Sequence, residues 1–88
     1  YHFAEGTRIQ NAEVFAGKGT HTPLHDGVAE GLTEEFGGDV TKWQHCKGRG
    51  ILMDEETGEE IPAEVHWFQE ESLGKVKFKV KRWLNDEN

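Results

Sequence analysis

An unbroken alternation of basic and apolar side chains, Lys-Val-Lys-Phe-Lys-Val-Lys, occupies residues 75–81. Successive side chains of a β-strand point to opposite faces of a sheet, so this pattern predicts a strand with one buried face and one face in water. Residues 63–68, Ala-Glu-Val-His-Trp-Phe, alternate in the same way. The two segments therefore predict neighbouring strands of one sheet that has an apolar face and a charged face.

The whole pattern predicts an α+β fold in which one amphipathic helix packs on an antiparallel sheet of three to four strands, in the order β-α-β-β-β. Thr22 and Pro23 are typical of a helix start, and Gly37 follows the last member of an apolar series that recurs every four residues. The predicted helix is residues 23–36, and the predicted strands are residues 7–16, 43–53, 61–69 and 75–84.

Length and cysteine content limit the architecture. The 88 residues suffice for one small domain, which we expect to span residues 1–88 with residues 1–6 flexible. Because the chain begins with Tyr1 rather than Met, we expect it to be part of a longer protein. Its single cysteine, Cys46, is predicted to point inward and excludes both an intrachain disulfide and a multi-cysteine zinc site.

Charge is distributed unevenly along the chain, whose formal net charge is −7. Residues 54–71 contain eight acidic residues and no Lys or Arg, whereas residues 72–88 contain five basic and two acidic residues. An acidic chain argues against sequence-blind binding of nucleic acid, which needs a broad positive field, but a local basic strip can still hold a phosphate backbone. The acidic segment 54–71 is also suited to docking a basic protein partner.

The register of the two alternating strands is strongly constrained, because a slip of one residue would place lysines against the core. The predicted pairs are Val65 with Val80, Trp67 with Phe78, Glu64 with Lys81, His66 with Lys79 and Phe68 with Lys77. In the preceding strand, four residues are predicted to point inward and let the helix approach closely: Cys46, Gly48, Gly50 and Leu52. On the outward side of that strand, Lys47 is predicted to lie beside His66, and Arg49 beside Glu64. The charged face then presents eight side chains, here called the outer-face patch: His45, Lys47, Arg49, Glu64, His66, Lys77, Lys79 and Lys81.

The outer-face patch contains the groups needed to cleave RNA without a metal. That reaction needs a base for the 2′-hydroxyl, an acid for the leaving oxygen and cations for the charged phosphorane, and histidine, lysine and arginine suit these roles. The candidate catalytic residues are His66, Lys47, His45 and Glu64, and the candidate substrate-binding residues are Arg49, Lys77, Lys79, Lys81 and Lys18. Trp43 or Phe68 on the same face could stack a base. The alternative is an exposed face stabilised by cross-strand ion pairs, with lysines protecting an edge strand.

Two motifs near the start of the predicted helix are incomplete. Residues 17–20, Gly-Lys-Gly-Thr, fail the phosphate-loop pattern, although a loop before a helix N-terminus can hold one phosphate through Lys18. His21 and His25, with Asp26 adjacent, loosely resemble the spacing of metal ligands, but Pro23 makes the two rings diverge and the segment offers too few ligands. No metal and no cofactor are therefore expected, and the roles of the two histidines stay open.

Three stretches, residues 14–20, residues 43–48 and residues 63–79, are similar to a small domain at the C-terminal end of phage minor head proteins and bacterial polymorphic toxins. That domain belongs to the barnase–colicin–RelE group of ribonuclease-like folds, in which a helical layer precedes an antiparallel sheet whose exposed face binds and cuts RNA. The resemblance implies that His66 and Lys47 are the first catalytic candidates, and that Arg49 and Lys79 hold the phosphate.

Two functions compete on this basis. The first is a ribonuclease-like domain of a phage or toxin protein that cleaves RNA on the open sheet face without a metal. The second is a non-catalytic acidic module, either a phage structural domain or an inhibitor, that binds a basic partner. A regulatory domain that binds a ligand through residues 17–20 is a third option. No apolar stretch approaches the ~20 residues of a membrane-spanning helix, so we expect no membrane partner, and we expect the protein in the bacterial cytoplasm or on a virion.

Overall fold

The computed structural model of the protein describes residues 1–4 and 6–84 and is built around a long antiparallel hairpin. The elements are β1 (His2–Phe3), β2 (Gln10–Gly17), α1 (Val28–Phe36), a 3₁₀ turn (Val40–Lys42), β3 (Gln44–Met53), β4 (Glu60–Glu70) and β5 (Gly74–Trp83). The hairpin is formed by β3 and β4, β5 adds to the far side of β4, and β1 and β2 share the other edge of β3. The predicted α+β class and antiparallel sheet are confirmed, but the predicted element order lacked β1.

Much of the predicted register is confirmed by the sheet. The pairs that form as predicted are Lys47 with His66, Arg49 with Glu64, Val65 with Val80 and His66 with Lys79. The four residues predicted to point inward from β3 are buried, and Cys46 is only 2% exposed. The period-2 alternation fixes the face on which each of these residues lies, because a slip of one residue would bury charged side chains against the apolar face.

The first departure from the predicted register lies near the end of β5. The pairing shifts between Glu64 and Val65, so that Glu64 lies opposite Arg82 rather than the predicted Lys81. A bulge of this kind inserts one unpaired residue into a strand, and here that residue is Lys81. The consequence is that Arg82, and not Lys81, forms the ion pair with Glu64, at 3.2 Å.

A second bulge lies in the first half of β5 and changes which residues face each other. Phe68 lies opposite Val76, not the predicted Lys77, and two residues of β5 oppose Trp67. Lys77 adopts a φ of 58°, the left-handed region that a non-glycine residue seldom enters. Phe78 still contacts Trp67, with their ring centroids 5.5 Å apart, but the alternation of lysines is interrupted at this point.

The apolar face of the sheet is covered by the N-terminal segment rather than by the helix. A Cβ atom at Gly48 would lie 2.5 Å from Cγ2 of Ile9, and one at Gly50 would lie 3.0 Å from Cε1 of Phe3. These glycines therefore admit Phe3 and Ile9, and the prediction that they admit the helix is wrong. Residues 1–6 were predicted to be flexible, whereas His2 and Phe3 pair with the end of β3.

The sheet curls so that its two edges approach each other around this core. Phe3 at one edge contacts Phe78 of β5 at the other, with ring centroids 5.1 Å apart. The buried core is formed by Cys46, Leu52, Ala63, Val65 and Trp67, and the half-buried side chains packed against it are Phe3, Ile9, Val14 and Val80. Curling leaves the opposite face, which carries the outer-face patch, on the outside of the sheet.

Helix α1 is shorter than predicted and packs elsewhere. It begins at Val28, because Gly27 has a φ of 82° and ends the helical conformation on its N-terminal side. The helix lies over Trp43, whose indole Nε1 donates a 2.9 Å hydrogen bond to Oγ1 of Thr33. Trp43 is only 1% exposed, so it cannot stack a base as predicted. Among residues 1–4 and 6–84, no helix has the length and apolar character needed to cross a membrane.

Candidate functional site

Two histidines lie side by side at the centre of the outer-face patch. His45 is on β3 and His66 on β4, and their positions differ by two residues along the paired strands, since His66 lies opposite Lys47 and His45 opposite Phe68. Their ring centroids are 5.6 Å apart and the rings meet edge to face. Two imidazoles at this separation can contact the same phosphodiester from different sides, one as proton acceptor and one as proton donor.

Aromatic rings fix the position of His45. Its ring stacks on Phe68, with centroids 4.2 Å apart and planes 17° apart, and it contacts Phe15 at 4.3 Å. Burial against these rings lowers the pKa of His45, and the positive charges of His66 and Lys81 lower it further. The lowered pKa favours the neutral form of His45, which is the form that accepts a proton.

His66 is held by a carboxylate on its own strand. Its Nε2 lies 3.1 Å from Oε2 of Glu64, and the two side chains are 15% and 27% exposed. The hydrogen bond to His66 is the main cause that lowers the pKa of Glu64, and Arg82 contributes through its charge. An ionised carboxylate can only accept hydrogen bonds, so Nε2 of His66 carries the hydrogen and Nδ1 is left to exchange a proton.

Three lysines of β5 stand around the histidine pair. Lys77, Lys79 and Lys81 line one shallow pocket of about 150 Å³ together with His45, His66 and Phe68. Lys77 is tied to the helix through a 3.1 Å ion pair with Glu35. Within residues 1–4 and 6–84, neither Lys79 nor Lys81 forms an ion pair. The pocket is thus cationic and suited to an anion the size of a phosphate.

The remaining cations of the outer-face patch lie to one side of the pocket. Lys47 and Arg49 line a separate depression with Glu64 and residues of β2. The Lys47 ammonium lies 5.9 Å from the centroid of the Phe15 ring, within the range of a cation–π contact. Because Lys47 lies opposite His66, it borders the histidine pair, whereas Arg49 lies two residues further along β3, opposite Glu64.

Lys18 is not brought to the outer-face patch. Its Nζ donates a 2.7 Å hydrogen bond to Oε1 of Glu71, and this contact raises the pKa of Lys18. The side chain lines a different pocket, formed by residues 17–20 and the start of α1. The predicted substrate-binding set is therefore gathered on the sheet except for Lys18.

Three residues of the site have no place in the predicted set. Phe15 contacts both histidines, with its ring 5.2 Å from that of His66. Arg82 reaches Glu64 because of the bulge in β5. His25 comes close enough to influence the pKa of His45, and it lines an apolar pocket beside that ring. From the sequence His25 was considered only for its metal-ligand-like spacing, and the alternating pattern gave neither Phe15 nor Arg82 a place in the site.

The other chemically reactive candidates lie outside this arrangement. Cys46 is buried, and burial raises the pKa of its thiol, which is the behaviour of an inert core cysteine. His21 is exposed on the loop before α1. In the part of the chain that the structure describes, no three His, Cys, Asp or Glu side chains are grouped in a way that could hold a metal ion.

Comparisons of the chain with protein-family models, with curated proteins and with solved structures found no match.

Proposed function

We propose that the protein is a ribonuclease-like domain that cleaves RNA on the outer-face patch by general acid–base catalysis, without a metal. The observation that supports this best is the pairing of His45 and His66, with ring centroids 5.6 Å apart, inside a pocket lined by Lys77, Lys79 and Lys81. Acid, base and phosphate-binding cations are the three requirements of the reaction, and they meet in one place.

The different surroundings of the two histidines support a division of roles between them. The pKa of His45 is lowered by burial and by neighbouring cations, which favours its neutral form, so it takes the proton of the 2′-hydroxyl. His66 is held through Nε2 by the ionised Glu64, which balances the charge of the protonated ring, so it gives a proton from Nδ1. The two histidines thus have different surroundings, one packed among aromatic rings and one held by a carboxylate, which suits a division into base and acid.

The proposed reaction is a transphosphorylation. The 2′-oxygen, deprotonated by His45, forms a bond to phosphorus, and the bond from phosphorus to the 5′-oxygen breaks. His66 protonates the departing 5′-oxygen, and the products are a 2′,3′-cyclic phosphate and a 5′-hydroxyl. The ammonium groups of Lys79 and Lys81 stabilise the charge that collects on the phosphorane oxygens.

The acidity of the chain does not conflict with this proposal. Four exposed acids lie at the tip of the β3–β4 hairpin, Glu55, Glu56 and Glu59 in the turn and Glu60 at the start of β4. His45 lies at the opposite end of β3, eight residues from Met53, which is roughly 26 Å at ~3.3 Å per residue. That distance exceeds the Debye length of ~8 Å at physiological salt, so these acids contribute little to the potential at the histidine pocket.

The test is cleavage of an end-labelled single-stranded RNA in EDTA, with the products separated by electrophoresis. Wild-type protein should release fragments ending in a 2′,3′-cyclic phosphate. The matching DNA strand has no 2′-hydroxyl and should stay intact. His66→Ala should reduce the rate by roughly 100-fold or more, the usual contribution of a positioned acid or base. His21→Ala, an exposed histidine outside the patch, should cleave like wild type. Equal cleavage by His66→Ala would refute the assignment.

A second candidate is a non-catalytic module that binds a basic protein through the acidic turn. The exposure of Glu55, Glu56, Glu59 and Glu60 at one tip of the molecule favours it. If wild-type protein leaves RNA intact, affinity capture with wild type and with a Glu55→Lys/Glu56→Lys variant separates the two ideas. A basic partner that wild type retains and the variant loses would support the module, and identical captures would exclude it.

A further inference from the structure

A second pocket opens beside the histidine pair, on the side facing the loop before α1. It is lined by apolar residues of that loop and helix, among them Leu24 and Val28, and by the rings of Phe15, His45 and Phe68. His45 and Phe68 also line the lysine-rich pocket. The two pockets therefore meet at the same pair of stacked rings, one apolar and one cationic.

The two pockets together have the chemistry of one nucleotide. Phosphate is an anion, and the lysine-rich pocket supplies Lys77, Lys79 and Lys81. A nucleobase is a flat ring with an apolar face and polar edges, and the apolar pocket supplies aromatic rings with His25 and Thr22 as polar groups. Its volume of about 210 Å³ is below the ~300 Å³ at which pockets begin to hold drug-sized ligands, so it suits a single planar ring system.

We propose that the pocket between Leu24, Val28 and Phe68 binds one unpaired nucleobase of the RNA whose phosphate lies on the lysines. This inference rests on the proposed function and specifies its substrate as single-stranded RNA. A base that is paired and stacked in a duplex cannot enter such a pocket without being extruded, which has an unstacking cost. A base that is already unpaired gains stacking and apolar burial there.

The apolar lining of this pocket lies apart from the core of the protein. The core of the protein lies on the other face of the sheet, around Cys46, Val65 and Trp67. Phe15, Phe68 and Leu24 are each only partly buried, although they lie beside a cationic surface. Half-exposed aromatic rings next to cations are the arrangement that proteins use to hold single-stranded nucleic acid.

The test compares two probes that carry the same phosphates. One is a short 2′-O-methyl RNA, which resists transphosphorylation because it has no free 2′-hydroxyl, and the other is the same backbone without bases. Fluorescence anisotropy with wild-type protein should show the abasic strand binding about 5- to 150-fold more weakly, the loss expected for one stacked base. The same RNA annealed to its complement should also bind more weakly than the single strand.

Two variants test whether the base binds in this pocket. Val28→Phe fills the pocket and should reduce the affinity for the base-containing strand towards that of the abasic strand. Val40→Phe makes the same change at an exposed position outside this pocket and should bind like wild type. Should Val28→Phe fail to fold, the comparison of the two probes with wild-type protein still decides.

The outcomes separate the base pocket from the proposed function. Equal affinity for the base-containing and abasic strands, with cleavage of RNA by wild type, would overturn the base pocket and leave the ribonuclease function standing. Failure to bind either strand, together with failure to cleave, would overturn both. Tighter binding of the duplex than of the single strand would also refute the base pocket.

Discussion

Glu64 and His66 stand two residues apart on β4, on the same face of the sheet, and Oε2 of the glutamate lies 3.1 Å from Nε2 of the imidazole. The contact follows from the period of a strand, since residues i and i+2 point the same way. It joins a carboxylate whose pKa is lowered to the histidine that we assign as proton donor. The arrangement corresponds to the carboxylate–histidine pairs that orient an imidazole for catalysis.

Replacing the Glu64 carboxylate should affect the His66 imidazole without unfolding the protein. Glu64→Gln keeps the size of the side chain but loses its charge, so we expect RNA cleavage to fall by about 100-fold. The ¹⁵N shifts of the His66 ring should change as well, because an amide no longer requires the hydrogen to sit on Nε2. Glu60→Gln, an exposed position on the same strand, is the control. Unchanged ring shifts in Glu64→Gln would rule out the positioning role.

The pKa of His45 should lie below 6.5, and it can be measured without any substrate. Burial is the first cause and the charges of His66, Lys81, His25 and Lys79 add to it. We expect a titration followed by the NMR signals of the imidazole to show a midpoint under 6.5, and the acid limb of the cleavage profile to coincide with it, because the base must be neutral.

Removing one of these charges should move the midpoint of His45. Lys81→Gln should raise the pKa of His45 towards 6.5, since a nearby positive charge disfavours the protonated ring. Lys75→Gln removes a lysine of the same strand that does not line the histidine pocket and should leave the midpoint unchanged. Equal midpoints in wild type and Lys81→Gln would show that the charge of Lys81 does not contribute to the pKa of His45.

The sequence was sufficient to place both histidines on the outer face because the face of a strand residue depends only on alternation. Keeping charged residues out of the core leaves only registers that differ by an even number of residues, and the observed one pairs Lys47 with His66 and Arg49 with Glu64. The same argument gave the pairing of His66 with Lys79. The residues at the centre of the patch could therefore be predicted from pattern alone.

The bulges of β5 could not be predicted in this way. An alternating run of lysines does not show where a bulge will leave one residue unpaired. Residue 77 is lysine rather than glycine or asparagine, so the sequence does not indicate its left-handed conformation either. Because of these bulges, Arg82 rather than Lys81 reached Glu64, and Val76 rather than Lys77 lay opposite Phe68.

The helix and the N-terminal segment could each cover the apolar face of β3, and local sequence patterns do not show which of them does. An apolar stripe indicates that a helix packs on something, and the small residues of β3 suggested the surface. Phe3 and Ile9 occupy that surface instead, and the helix covers Trp43. Which of two apolar segments covers a face depends on their relative fit and chain connectivity, and neither can be obtained from the period of one segment.

The tight fit of Ile9 against β3 gives a test of how the core is covered. Gly48→Ala would place a Cβ 2.5 Å from Cγ2 of Ile9 and 3.1 Å from Cη2 of Trp67. We expect it to lower the free energy of unfolding by about 1–3 kcal/mol, the usual cost of overpacking. Gly31→Ala is the control, since no atom lies within 4 Å of its Cβ, and in a helix it should raise stability by up to ~1 kcal/mol. Urea denaturation of both variants measures the difference, and equal stability of Gly48→Ala and wild type would contradict the described packing.

Glu70 should make stability depend on pH in a predictable direction. Its buried carboxylate accepts hydrogen bonds from the backbone N–H groups of Ser72 and Asp39 and from the Ser72 hydroxyl, and these bonds lower its pKa below 4.5. A carboxylate whose pKa is lower in the folded state stabilises the protein at pH values above its unfolded-state pKa of 4.5. That stabilisation is lost as the pH falls through the folded-state pKa. Glu70→Gln should therefore be less stable than wild type at pH 6, with a difference that shrinks below pH 4.5. Glu34→Gln, exposed on α1, should show no such trend, and a difference between Glu70→Gln and wild type that is constant from pH 6 to pH 3 would exclude an ionised Glu70 as its source.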